Sequence, residues 1–255
     1  MMFFRFKTLI DNLLQNTDGI RSHITTSTYA MSATMFGKTL SRTMPKAQGI
    51  CTNIVKQVCD LLIDPEVVGE KLENIDLTYR EEVNENMDRV FSDFGTGDLM
   101  RKAEAEVHRR YGTDVITICC MLNMDKTHAS RLGDVQVWPC NVAVANLKSK
   151  VLTTRKGSKL VGYGPMLPMT DKSFAPFLAS VGITGTSRQN DACKILRRKL
   201  EQDYLRDVIR PVKDLESVDP IVVQIGYGLH AIIRKVVFKI VRYLCKIVHV
   251  SNVKI

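Results

Sequence analysis

Between Asp114 and Met124 the chain reads DVITICCMLNM, with Gly112 just before it. Valine, isoleucine and threonine lose rotamer freedom in a helix and fit the pleated surface of a sheet. The run is far shorter than the roughly 20 apolar residues that cross a bilayer. Its composition and length predict a buried strand. Such a strand needs partners, so the rest of the chain must supply a sheet. Asp125 follows at once, and there the chain turns polar.

Partners are legible downstream. Val135 to Leu147 is a second strand region, with Val142, Val144 and Leu147 apolar and Pro139 marking an edge or bulge. Lys159 to Tyr163 is a third, bounded by Gly157-Ser158 and Gly164-Pro165. Phe174 to Gln189 reads as a loop with a short apolar piece. Asn190 to Val208 is an amphipathic helix on which Cys193, Leu196, Leu200, Leu205 and Val208 align, and Pro211 follows its end. Pro220 to Ile225 is a further strand. Three strands, a helix and more strand make an α/β arrangement.

The part before Gly112 is expected to be mainly helical. Phe3, Phe6, Ile10, Leu13 and Leu14 give residues 2–15 the spacing of a short amphipathic helix, and residues 16–44 read as a Ser/Thr/Met-rich linker. Pro45 opens a helical stretch that Asp64-Pro65 ends. Broken helices follow to about Phe94, then a turn at FGTGD, then a solvated helix from Leu99 to Tyr111. Three regions result: 1–44, 45–112 and 113–255.

Charge is distributed unevenly along this order. Residues 1–59 hold seven Lys/Arg against Asp11 and Asp18, a balance of +5. Residues 60–106 hold fourteen Asp/Glu against five Lys/Arg, a balance of −9. With +9 over the whole chain, 107–255 carries +13. That half suits a polyanion, either nucleic acid or an anionic membrane surface; the simpler reading is a solvated basic surface. Ordinary globular proportions, 45% hydrophobic and 25% charged, exclude a wholly disordered or collagen-like chain. The seven cysteines form no CxxC pair and are odd in number, which points to reduced thiols in a nuclear or cytoplasmic setting. Cys119 and Cys120 read as small buried hydrophobes. No close Cys/His spacing supports a zinc site. The N-terminus lacks the order of a secretory signal, so secretion is not expected.

The chemistry concentrates in LNMDKTHASRLGDVQVWP, residues 122–139. Asp125 at a strand end is a carboxylate on a rigid support with its head in water. That suits a ligand for Mg²⁺ or Mn²⁺, although such ions need two or three converging carboxylates, and the simpler reading is a turn residue. His128 is a possible ligand or base, and Trp138 a core or hinge residue. Lys126, Arg131, Lys148, Lys150, Arg155, Lys156 and Lys159 crowd the same stretch. Lys126, Arg155 and Lys159 are the candidate phosphate contacts.

These residues also carry a resemblance. Asp125-Lys126-Thr127, Gly133-Asp134, Trp138-Pro139, Asn146 and Leu160-Val161-Gly162-Tyr163 with Pro165 resemble the core of Plavaka-type transposases. These belong to the Kyakuja–Dileera–Zisupton-like group of cut-and-paste elements. The likeness covers roughly 94–240, with FGTGDLMRKAEAEV and ILRRKLEQDYLRDVIRPVKDL as looser flanks. It implies a partial RNase H-like mixed sheet with flanking helices and DNA, not a small molecule, as the partner. It also implies a carboxylate set holding two Mg²⁺ or Mn²⁺ ions, of which Asp125 matches the first member. The second is expected after a later strand, where this chain has VVFKIVRYLCKIV (236–248), with Arg242 before Tyr243 in the place of an aspartate. No Asp or Glu follows Asp219. The expectation is therefore a truncated or decayed transposase fragment without activity, binding metal weakly at most, with the strand at 236–241 left on an edge.

Two other readings stand beside it. One is a non-enzymatic nucleic-acid-binding module that uses the basic half. The other lays residues 231–250 on an anionic membrane as a basic amphipathic helix, against which a core strand is the simpler assignment.

Overall fold

The computed structural model describes residues 24–29, 34–35, 38–39, 47–125, 127–128, 136–166, 171–180, 182–216 and 219–241. In chain order the strands are β1 (Ile24–Tyr29), β2 (Thr34–Met35), β3 (Lys38–Thr39), β4 (Ala47–Thr52), β5 (Glu82–Val83), β6 (Arg89–Val90), β7 (Val115–Met124), β8 (Thr127–His128), β9 (Gln136–Val137), β10 (Pro139–Val144), β11 (Ser158–Tyr163), β12 (Ile221–Ile225) and β13 (Ile232–Val241). The helices are α1 (Ile54–Leu62), α2 (Pro65–Val68), α3 (Asp98–Tyr111), α4 (Ser149–Leu152), α5 (Asp171–Ser180) and α6 (Thr186–Glu216). The fold is mixed α/β. The chain divides into two compact units, 1–53 with 124–140 and 161–211, and 54–123 with 141–160 and 212–255.

In the first unit the strand order is β1-β4-β11. β1 pairs antiparallel with β4 from Ile24↔Thr52 to Tyr29↔Ala47. β4 pairs antiparallel with the end of β11 through Gly162↔Cys51 and Tyr163↔Ile50. β1 and β4 occupy positions where the sequence suggested linker and helix. ITTSTY lacks hydrophobic alternation, and AQGICT merges into the apolar start of α1, so neither shows a strand period. The expected helix over 2–15 lies outside the described residues.

Helix α6 lays Ala192, Cys193, Leu196, Leu200, Tyr204 and Val208 into the core of this unit. It does not stop before Pro211 but runs through it to Glu216. An interior proline forfeits one backbone hydrogen bond and costs about 3 kcal/mol; burial of Val212 on the same apolar line offsets it. The segment read as a loop after Phe174 is partly helix α5, which tolerates Pro176 within it.

In the second unit the order is β11-β10-β7-β13-β12. β7 is buried from Val115 to Cys120, as its composition required. β13 runs parallel to it, from Lys235↔Val115 to Val241↔Met121. β12 lies antiparallel on the other side of β13, from Ile221↔Val236 to Ile225↔Ile232. The strand expected at an edge is therefore interior, because the Pro220–Ile225 segment folds back beside it. Residues 232–241 are strand rather than membrane-surface helix, and Val236, Val237 and Phe238 are buried. Among the described residues no helix is long and apolar enough to cross a membrane.

Helix α1 buries Ile54, Val58, Leu61 and Leu62, the i, i+4, i+7, i+8 face its sequence offers. Asp64 caps α2 by accepting from the Glu66 amide at 3.0 Å, with Pro65 in the first turn. The expected broken helices give way after α2 to the β5–β6 hairpin, closed by a turn in which Asn84 Oδ1 accepts from the amides of Asn86 and Asp88. Helix α3 ends at Gly112, whose φ of 91° suits glycine. Cys119 and Cys120 are fully buried, and burial pushes the Cys119 thiol up to about 12 and that of Cys120 higher still. Cys51, Cys59, Cys140 and Cys193 are free thiols as well.

Candidate functional site

Strand β7 leaves the core gradually. Its first six residues are buried, Met121 and Leu122 are half-buried, Asn123 is exposed, and Asp125 beyond its end is exposed. The carboxylate thus stands in water on a strand anchored in apolar packing. The chain continues into the two-residue ladder of β8 and β9, with Thr127↔Val137 and His128↔Gln136 paired.

Three residues of the motif-bearing stretch meet beside this turn. The Gly164 amide donates to the Trp138 carbonyl at 2.7 Å. A Cβ on Gly164 would sit 3.1 Å from Met124 Cε, so the 160–165 segment lies against the residue preceding Asp125. Trp138 is 8% exposed, which makes it a core residue. Gly162 is required by close approach: a Cβ there would lie 1.9 Å from the Ile50 carbonyl oxygen. Thr52 Oγ1 donates to the Val161 carbonyl at 3.0 Å, and the Tyr204 hydroxyl donates to the Ile50 carbonyl at 3.1 Å. The LVGY sequence is thereby explained by β4 packing onto β11.

The second unit has a polar centre of its own. Asn146 is 1% exposed. Its Nδ2 donates to the carbonyls of Asp76 at 2.9 Å and Thr117 at 3.0 Å, and its Oδ1 accepts from the Cys119 amide at 2.8 Å. The Asn146 carbonyl accepts from the Asp76 amide at 2.8 Å. One side chain thus ties the end of β10 to β7 and to the segment after α2.

Beside it, Arg80 contacts Asp76 at 3.3 Å, Glu82 at 2.8 Å and Asp93 at 3.8 Å. Burial raises the Asp76 carboxyl above its ordinary range, against the pull of Arg80 and Lys148. Asp93 moves the other way. Desolvation would raise it, but hydrogen bonds from the Ser149 hydroxyl at 2.5 Å and amide at 2.8 Å, with Arg80 and Lys148, hold it below. Nothing in the local sequence separates these two aspartates from the acidic run around them.

Of the candidate phosphate contacts, Arg155 and Lys159 are among the described residues. Lys126 lies outside the described residues, as do Arg131 and Asp134. Arg155 is exposed on the 3₁₀ turn Arg155–Gly157, and Lys159 is half-buried in β11. Both fall in the second unit, whereas Asp125 falls in the first. Arg155 lines an open cleft of about 550 Å³ with Glu66, Asn74, Lys150, Val151, Thr154 and Lys156. Lys156 pairs with Glu66 at 2.6 Å, and Asn74 Oδ1 is buried without a partner among the described residues. Lys159 is not part of this lining.

Among the described residues no three His, Cys, Asp or Glu side chains come together as ligands, and Asp125 offers one exposed carboxylate. β13 is described as far as Val241, which pairs with Met121; Arg242 and Tyr243 lie beyond the described residues.

A family model described as Plavaka transposase matches residues 5–246. No curated protein and no solved structure matches the chain.

Proposed function

This chain belongs to the Plavaka transposase family, and from that premise we propose that it is an RNase H-like transposase core that binds DNA without cutting it. The observation that carries the proposal is the strand order β11-β10-β7-β13 with β13 parallel to β7. That order suits an RNase H-like sheet in which the first carboxylate ends β7 and the second follows β13. Asp125 supplies the first. In the second place the sequence has Arg242 and Tyr243.

Two-metal phosphodiester chemistry needs both ions clamped, one activating the attacking oxygen and one stabilising the leaving oxygen. A single exposed carboxylate gives at most one weakly held Mg²⁺ or Mn²⁺. What this chain's own residues can do is bind phosphates. Lys150, Arg155 and Lys156 line one cleft, and Lys126 and Lys159 add to the same basic stretch. The contacts are to backbone charge, so binding is steeply salt-dependent and nearly indifferent to sequence.

The test pairs two assays on the whole chain. Fluorescence anisotropy with a labelled duplex over a salt series is expected to give a steep slope. Incubation of supercoiled DNA with Mn²⁺ is expected to give no nicking above buffer. Nicking that Asp125→Ala abolishes would sink the inactive-core reading, and absence of duplex binding would sink the DNA-binding one.

A further inference from the structure

The long helix α6 carries a feature that the family match does not explain. Its buried face is apolar: Ala192, Leu196, Leu200, Tyr204 and Val208 are at most 3% exposed. Its opposite ridge, at strict i, i+4 spacing, reads Lys194, Arg198, Gln202, Arg206 and Arg210, and all five are exposed. The side chains of Lys194, Arg206 and Arg210 are 65%, 65% and 62% exposed. No acidic residue stands on the ridge between its ends. At 1.5 Å per residue it presents four cations over about 24 Å.

We propose that this ridge is a second contact surface for duplex DNA, seated on phosphates along the backbone. The proposal rests on the DNA-binding reading above and adds a place and a mode to it.

Three of the four cations already have a carboxylate one turn back. Lys194 meets Asp191 at 3.3 Å, Arg206 meets Asp203 at 2.8 Å, and Arg210 pairs with Asp207. These pairs are solvent-exposed, and such pairs contribute about 0–1 kcal/mol. They hold the side chains along the helix without neutralising the ridge. Over 194–210 six Lys/Arg face three Asp/Glu, a surplus of +3. Arg198 at the middle has no ion pair among the described residues.

The chemistry of the ridge selects among polyanions. Single strands are held by aromatic platforms on which bases stack, and the one aromatic on this stretch of helix, Tyr204, is fully buried. An anionic membrane would need a continuous apolar stripe on the same face, and among the described residues of α6 the only exposed large hydrophobic is Ile195, 43% exposed, beside five polar or charged ridge residues. A regular row of charges with no stacking and no insertion fits the phosphates of a duplex, spaced about 3.4 Å along each strand.

The test is a salt series with a labelled duplex of random sequence, on the full chain and on K194Q/R198Q/R206Q/R210Q. Glutamine keeps the helix propensity. Each lost phosphate contact should lower the slope of log K against log salt by about 0.9, so the slope should fall by about 3.6 and affinity at 0.1 M salt by roughly a thousandfold or more. A second variant, R198Q alone, should lower the slope by about one; it removes the unpaired cation and serves if the fourfold variant fails to melt cooperatively. Wild-type binding with an unchanged slope in both variants overturns the inference. In that case K150Q/R155Q/K156Q losing affinity would leave the DNA-binding reading intact. A wild-type chain that binds phosphatidylserine vesicles and not duplex overturns both.

Discussion

Asn146 and Asp125 belong to the same family-like stretch, and their surroundings are opposite. Asn146 is buried, and each of its side-chain polar groups has a backbone partner at 2.8–3.0 Å. Asp125 is exposed at the end of a strand. A buried amide that closes three backbone bonds can be replaced by almost nothing, because each group it leaves behind is costly when unpaired. An exposed carboxylate at a turn is replaceable as far as the fold is concerned. Residues that hold their spacing in this stretch therefore do so for two reasons. Asn146, Gly162 and Trp138 serve packing, whereas Asp125 stands exposed and takes no part in the core.

The sharpest way to break that contrast is Asn146→Ala. The substitution strands the Cys119 amide and the carbonyls of Asp76 and Thr117. At about 1–3 kcal/mol per stranded group we expect a loss of about 3–5 kcal/mol in urea melts. A loss below 1 kcal/mol would mean that water replaces the amide and that the centre is not closed. Gly162→Ala comes next. Its Cβ would meet the Ile50 oxygen at 1.9 Å and Cys51 Cα at 2.8 Å, so backbone must move. Overpacking of this kind costs about 1–3 kcal/mol. Because β4 is what gives way, the Cys51 thiol, 8% exposed and raised by burial, should react faster with a maleimide than in the wild type. An unchanged rate would show that the strain is absorbed elsewhere.

The same contrast explains what could be seen in the sequence. β7, β11 and α3 were legible because each has a local signature: consecutive β-branched residues, glycine brackets, and charge at helical spacing closed by Gly112. β1 and β4 were not, since their place in a sheet is set by pairing with each other and with β11, which is long-range information. β13 was legible as apolar but not as interior, because its second neighbour, β12, reaches it through the return of the chain. The site divides likewise. Asp125 showed itself as an exposed carboxylate after a buried strand. That Asn146 is a tie, and that Asp76 and Asp93 titrate in opposite directions, depends on burial and on residues brought together from as far as 72 positions apart in sequence.

That opposite titration sharpens the comparison within the buried centre. Asp76 has its folded value raised above the ordinary 3.8, so the folded state holds the proton more tightly. Its ionisation therefore lowers stability as pH rises from the unfolded value through the raised folded one. Asp93 has its folded value lowered, so its contribution is present above the ordinary value and is lost as pH falls through the folded one. Carbon-detected NMR of the two carboxyls should place the Asp76 midpoint above the ordinary aspartate range and the Asp93 midpoint below it. In acid unfolding, Asp93→Asn should flatten the low-pH loss by about 1 kcal/mol, whereas Asp76→Asn should leave that limb in place. Coincident midpoints would mean that Arg80 is shared equally and that burial does not decide the order.

The smallest effect is expected at Asp125, and its smallness is informative. Asp125→Asn should change the melting free energy by no more than about 0.5 kcal/mol, the usual range for an exposed position. Mn²⁺ adds stability by the binding term RT ln(1 + [L]/Kd), which is only about 0.4 kcal/mol when the ion is at its dissociation constant. A lone carboxylate should give a shift of that order at millimolar Mn²⁺ in the wild type and none in Asp125→Asn. A shift near 2.7 kcal/mol would require the ion at a hundred times its dissociation constant, and so a site with several ligands. The partners would then have to come from residues beyond those described around Asp125, Asp134 first among them. The inactive-core reading would fall, because the carboxylate would no longer stand alone.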